Sequence, residues 1–258
     1  MSSSDSDYES EPRPAIFDAI YAFDVEALRR ELAAGVDPDV LNPTPGAPTP
    51  LFALVLFRAA RRPAERIQER IECISVLLEA GASVDIRHCY PGDTRGRTVL
   101  HRVAHNRSPA YTAVITTLVE AGADVNFTDE HGSSVLARAA ASAPAATVKC
   151  LISAGAVDLD GALRAAIENG KHRNCAPLLR AGAAIPAAIT QIMSAYTTRG
   201  DLAGTRAYIE KMTAAGGYRA YERAHRQRLV AIFAPKLPHL PADMLGRVLE
   251  FVFDVGGH

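Results

Sequence analysis

Tryptophan is absent from this chain, and phenylalanine and tyrosine make up only 6% of its 258 residues. Small-molecule pockets usually draw on aromatic lining, so the scarcity argues against a catalytic cavity. The four cysteines, Cys73, Cys89, Cys150 and Cys175, never stand in a CxxC pair, and no secretory leader is recognisable ahead of them. They read as reduced thiols of a cytosolic or nuclear protein. The longest apolar run, Leu51 to Phe57, is far too short to cross a bilayer, so no membrane association is expected. A formal net charge of −1 gives no general attraction to nucleic acid or anionic lipid. No phosphate-cradling glycine loop, nucleophile elbow or kinase signature occurs. The expectation is a protein with no enzymatic activity, no catalytic residue, no metal and no cofactor.

What is abundant is small and aliphatic. Hydrophobic residues reach 48%, much of it alanine, a composition that suits closely stacked helices. One phrase recurs along the chain: Leu77-Leu78-Glu79-Ala80-Gly81-Ala82-Ser83-Val84-Asp85, then Leu118-Val119-Glu120-Ala121-Gly122-Ala123-Asp124-Val125-Asn126. Degraded copies run from Leu32 to Asp37, Leu151 to Asp158 and Leu178 to Ile185. Their glycines fall at 35, 81, 122, 155 and 182, with a weaker sixth at 216, so the spacings are 46, 41, 33, 27 and 34. Such a period signals a repeat architecture. Each glycine closes a short helix, because it can enter the left-handed region without a Cβ clash. Upstream, Thr49-Pro50-Leu51, Thr98-Val99-Leu100-His101 and Ser134-Val135-Leu136 each put a hydroxyl where it can cap a helix start.

These residues resemble the ankyrin repeat, with its Thr-Pro-Leu-His at the first helix and Leu-Leu-x-x-Gly-Ala-Asp-x-Asn after the second. The resemblance implies an all-α fold, an ankyrin-repeat solenoid of about six repeats, some irregular, with β-hairpin-like fingers between them. It covers residues 15–216. Residues 1–14 carry five serines among acidic residues and two prolines, and are expected to form a disordered acidic tail. The first repeat should hold helices near Ala15 to Ala22 and Val25 to Ala34. A long second helix, Glu65 to Glu79, and a long finger, Ile86 to Arg97, mark the second. The fifth, Gly161 to Ala183, has no room for a normal finger, which suggests a weak junction.

Residues 217–258 change character. Tyr218, Tyr221, Ala224, Leu229 and Ile232 form a stripe among arginines. Then comes Leu237-Pro238-His239-Leu240-Pro241-Ala242-Asp243-Met244-Leu245-Gly246-Arg247-Val248-Leu249, where Met244, Leu245, Val248, Leu249 and Val252 share an apolar helical face. This segment resembles the opening helix of an F-box, which docks on the adaptor subunit of a cullin-RING ubiquitin ligase. Ankyrin repeats followed by a truncated, PRANC-type F-box are the layout of the poxvirus ankyrin proteins. The resemblance implies a substrate adaptor acting in the cytoplasm of a host cell, with the nucleus as alternative. Its ligase-adaptor contacts would be Leu237, Pro238, Leu240, Pro241, Met244, Leu245, Val248, Leu249 and Val252. The bland alternative is a plain ankyrin scaffold whose terminal helices only cap the last repeat.

Arg87, Arg95, Arg97, Arg102 and Arg107 cluster with only Asp93 opposing them. Such a cluster is either a solvated finger or an anchor for an acidic host target protein. The expected target-contacting set is Tyr90, Arg95, Arg97, Arg102, His105 and Arg107, with Phe127 and His131. Nucleic acid ranks last as a partner, because no recognition module or aromatic platform accompanies the arginines. His101 and His105 stand i and i+4, but Arg102 occupies the place where a zinc protease has glutamate. By the resemblance, His101 is a structural hydrogen-bonding group joining neighbouring loops.

Overall fold

Paired short helices build the chain, and their starts and stops follow local chemistry. The computed structural model describes residues 13–43, 48–56, 66–90, 93–186, 202–241 and 244–248. Helices α1 (Ala15–Ala22) and α2 (Val25–Ala33) lead, and Asp24 caps α2 by accepting the Ala27 amide at 2.9 Å. Next come α3 (Pro50–Leu56) and α4 (Ile67–Glu79). Strands β1 (His88–Tyr90) and β2 (Asp93–Arg97) then form an antiparallel hairpin, with His88 opposite Arg97 and Tyr90 opposite Asp93. A register shift separates the two pairs. Helices α5 (Val99–Ala104) and α6 (Tyr111–Glu120) complete the third pair. The described fold is therefore mostly helical, and the long finger forms a two-stranded hairpin.

Two compact units divide the chain, Met1–Val135 and Leu136–His258. In the first, α1 packs on α3 and α3 on α5, while α2 packs on α4 and α4 on α6. First helices thus form one row and second helices another. Phe17, Ile20, Leu51, Phe52, Leu54, Ile74, Leu77, Leu100, Ile115 and Leu118 fill the space between the rows. Arg70 is buried among them, its guanidinium 5.0 Å from the Phe23 ring and 5.6 Å from the Tyr111 ring. Loss of hydration holds it below its ordinary pKa, with Tyr111 opposing that shift.

The repeated phrase is a helix stop. After α4 the Gly81 amide donates to Leu78 and the Ala82 amide to Leu77; after α6 the Gly122 amide donates to Val119 and the Ala123 amide to Leu118. Gly81 and Gly122 sit at φ 92° and 93°, so each turns left-handed and lets two hydrogen bonds satisfy the last carbonyls of its helix. The same pair of bonds recurs at Gly155 and Gly182. Leu77, Leu118, Leu151 and Leu178, four residues before these glycines, are all fully buried.

The second unit holds α7 (Val135–Ser142), α8 (Ala145–Ser153), α9 (Leu159–Glu168), α10 (His172–Ala181), α11 (Leu202–Ala214) and α12 (Tyr218–Phe233). Helix α10 packs on α8, α9, α11 and α12. The buried Asn174 amide donates to the Ala140 and Ala143 carbonyls at 2.9 Å each, tying α10 to the end of α7. The missing finger is replaced by a cap: Asp158 accepts the Gly161 amide at 3.1 Å and opens α9. A 3₁₀ turn, Ala234–Lys236, follows α12, and residues 244–248 are helical. The stripe expected on α12 is not a core face, for only Tyr218 is buried there. Residues 1–12 of the expected tail, and residues 189–201, where the sixth repeat is expected to begin, lie outside the described residues. None of the described helices is long and apolar enough to cross a membrane.

Candidate protein-binding surface

The finger is held by side chains that sequence reading places in solvent. Arg97 is only 8% exposed, and its Nε faces the buried Asp129 carboxylate at 3.5 Å. Asp129 in turn accepts the His131 and Ser133 amides at 3.1 and 2.9 Å. Burial pushes its carboxyl upward, but those two amides and the Arg97 guanidinium outweigh burial and hold it below the usual range. The Glu130 amide donates to the Arg95 carbonyl at 2.9 Å, so β2 lies edge to edge with the next finger. Gly96 makes this approach possible: it is buried at φ 58°, and a Cβ there would stand 3.0 Å from the Glu130 carboxylate.

His101 joins the two fingers from beneath. Its ring is fully buried, with Nδ1 3.1 Å from the Thr98 hydroxyl and Nε2 3.1 Å from the Ser133 carbonyl. A carbonyl only accepts, so Nε2 carries the proton. Both nitrogens are thus engaged. His105 is exposed, and among the described residues no group of three or more His, Cys, Asp or Glu is placed to hold a metal. Phe127 sits half-buried between the His101 ring, edge-on at 5.5 Å, and the Arg87 guanidinium at 4.4 Å. One repeat earlier, the His88 ring packs 4.2 Å from Phe52 and its Nε2 lies 3.1 Å from the Thr49 hydroxyl. Burial pulls the His88 pKa down, with Asp39 opposing.

The expected target-contacting residues therefore divide. Arg97 is withdrawn into its ion pair with Asp129, while Phe127 is half-buried between the His101 ring and the Arg87 guanidinium. Arg95, Arg102, His105, Arg107 and His131 are exposed. The Tyr90 side chain lies outside the described part of the structure. Arg102, His105 and Arg107 come together around a groove of about 480 Å³, whose other lining includes Val55, Leu56 and Tyr111. The sequence offered no sign of Val55 and Leu56 at this place.

At the C-terminal end the expected apolar face is split. Leu245 is 1% exposed, while Met244 is 50% and Val248 47% exposed. Leu237, Pro238 and Pro241 are exposed and Leu240 is half-buried. Leu249 and Val252 lie outside the described residues.

A carboxylate ladder escaped the sequence reading. Asp39 accepts the Ser83 amide at 3.0 Å, and Asp85 accepts the Asp124 amide at 3.1 Å. Each acid stands four residues after its glycine and each amide two residues after the next one. In the second unit Asp160 accepts the Ala184 amide at 2.7 Å. In the first unit the signal was present as an acid four residues after the glycine, whereas Asp160 stands five after Gly155.

The family model for the ankyrin repeat matches residues 95–130, the stretch holding the end of β2, α5, α6 and Asp129. No curated protein matches the chain. Ankyrin repeats are protein-protein interaction modules, and residues 95–130 supply one here.

Proposed function

We propose that this chain is a protein-interaction adaptor with no catalytic activity of its own. Its ankyrin solenoid recruits a target protein through the exposed part of the basic finger and the adjoining end of α5. Its C-terminal F-box-like segment docks on the adaptor subunit of a cullin-RING ubiquitin ligase, and ubiquitin transfer belongs to that ligase. The setting implied is the cytoplasm of a host cell.

The observation that carries this reading is where apolar side chains meet water. Ile232, Phe233, Leu237, Met244 and Val248 are each 37% to 50% exposed, all within one short stretch. Exposed apolar side chains gathered in this way mark surfaces that another protein covers. The two Leu-Pro pairs, Leu237-Pro238 and Leu240-Pro241, stand in the middle of that stretch.

Burial of Leu245 favours a second reading, in which the segment only caps the helices it packs on. The two are separated by which face is altered. Changing Met244 and Val248 together to aspartate should abolish capture of the purified ligase-adaptor subunit and leave the melting temperature unchanged. If the wild-type chain does not bind that subunit, or the double variant binds it as well, docking is wrong and the cap remains.

A further inference from the structure

We infer that the groove between the end of α3 and the α5–α6 connection is a docking site for an acidic segment of a partner protein, one that carries an aliphatic or aromatic residue among its carboxylates. This rests on the target-recruitment reading above and gives the target its chemistry.

Arg102 and Arg107 are both exposed at the groove's rim. Among the described residues neither makes an ion pair, although Arg29, Arg66, Arg164 and Arg180 are paired with Glu79, Glu69, Glu168 and Glu222. The sequence explains the difference: between Ile86 and Tyr111 the only acid is Asp93, on the hairpin. The groove's own lining contains no carboxylate among the described residues. Two cations with no counter-ion among the described residues of the groove, in a nearly neutral chain, raise a local potential that steers acids toward them. Guanidinium forks bind carboxylates in bidentate fashion, which fixes orientation as well as charge.

The opposite wall is apolar. Val55 and Leu56 are half-buried at the end of α3, and Tyr111 is buried. A purely acidic chain would leave this wall wet, whereas an apolar residue set among carboxylates covers it. Nucleic acid fits less well, because Tyr111 is buried beneath Arg70 and offers no free ring for base stacking.

The test uses the full chain and fluorescein-labelled synthetic peptides. A peptide alternating Glu and Leu should bind by anisotropy and weaken as salt is raised. A Lys/Leu peptide of the same length should not bind, and a Glu/Ser peptide should bind more weakly. Reversing Arg102→Glu and Arg107→Glu together should weaken the Glu/Leu peptide about tenfold or more. Should that double variant melt early, the single Arg107→Gln, in an exposed loop, must still weaken binding. Unchanged affinity in Arg107→Gln, equal binding of the Lys/Leu peptide, or tighter binding of a single-stranded oligonucleotide would overturn the proposal. Ligase-adaptor binding is measured in the same samples. Peptide binding without adaptor binding upholds the groove and removes only the ligase half of the reading above. Adaptor binding without peptide binding overturns the groove alone.

Discussion

Arg97 and Asp129 hold two fingers together although 32 residues separate them. Replacing Asp129 with alanine should cost about 3 kcal/mol, because it strands a buried guanidinium and two amides at once; chemical denaturation reads the loss directly. Arg95→Ala, at an exposed side chain, should stay within about 0.5 kcal/mol of wild type. A target-binding test on the finger therefore belongs at Arg95, since any loss at Arg97 would mix binding with stability. The pH dependence follows from the same residues. The Asp129 carboxyl is depressed in the fold, so its contribution is complete above the ordinary carboxylate pKa of about 3.9 and is lost as pH falls through the folded value. His88 is depressed as well, so the unfolded chain takes its proton first. Its contribution is complete above about pH 6.5 and declines as pH falls below that. Melting temperatures between pH 7.5 and 5 should fall in the wild type, and part of that fall should vanish in His88→Gln.

For the helix pairs, the decisive device is the stop. Gly122→Ala meets no neighbouring atom within 4 Å, so its cost is backbone strain alone, about 1 kcal/mol. A thermal melt of that variant against Gly161→Ala, where a Cβ would stand 2.4 Å from the Asp158 carboxylate, separates strain from collision. These stops were legible because left-handed backbone demands glycine and the demand repeats. The same clarity let helices α1 and α2 be placed to within a residue. It did not extend to Arg97, because sequence marks it as a charge and is silent about a partner on the next finger. Nor did it reach the split between Leu245 and its neighbours: helical periodicity puts Met244, Leu245 and Val248 on one side but cannot say which part of that side meets the protein. The weak junction expected at the fifth repeat has local bonds set against it, since Asp158 accepts the Gly161 amide and Asp160 the Ala184 amide where no finger stands. Amide exchange decides between them: faster exchange in α9 than in α6 upholds the weak junction, and equal protection removes it.

Across the whole molecule, burial is uneven. Sixteen residues of α12 bury only Tyr218, whereas α10 buries Asn174, Cys175, Pro177, Leu178 and Leu179. Burial drives the Cys175 thiol up to about 12, so thiol reagents should label exposed Cys89 and spare Cys175; mass spectrometry after brief labelling decides it. Opening free energy follows buried contact, so amides of α12 should exchange faster than those of α10. The exposed Ile232, Phe233, Leu237, Met244 and Val248 beside this sparsely buried helix are what the proposed docking would use, because a partner would then cover them.

The carboxylate ladder has a consequence for how such a chain can change over generations. Asp39 reaches Ser83 across 44 residues, Asp85 reaches Asp124 across 39, and Asp160 reaches Ala184 across 24. The fastening closes over different lengths of chain between its ends. Residues can therefore be gained or lost in a finger or a connection without shifting the alignment of the helices on either side. Lengthening redraws what the surface displays and leaves the frame standing, so a new partner can be acquired by insertion, with no need to invent a new fold.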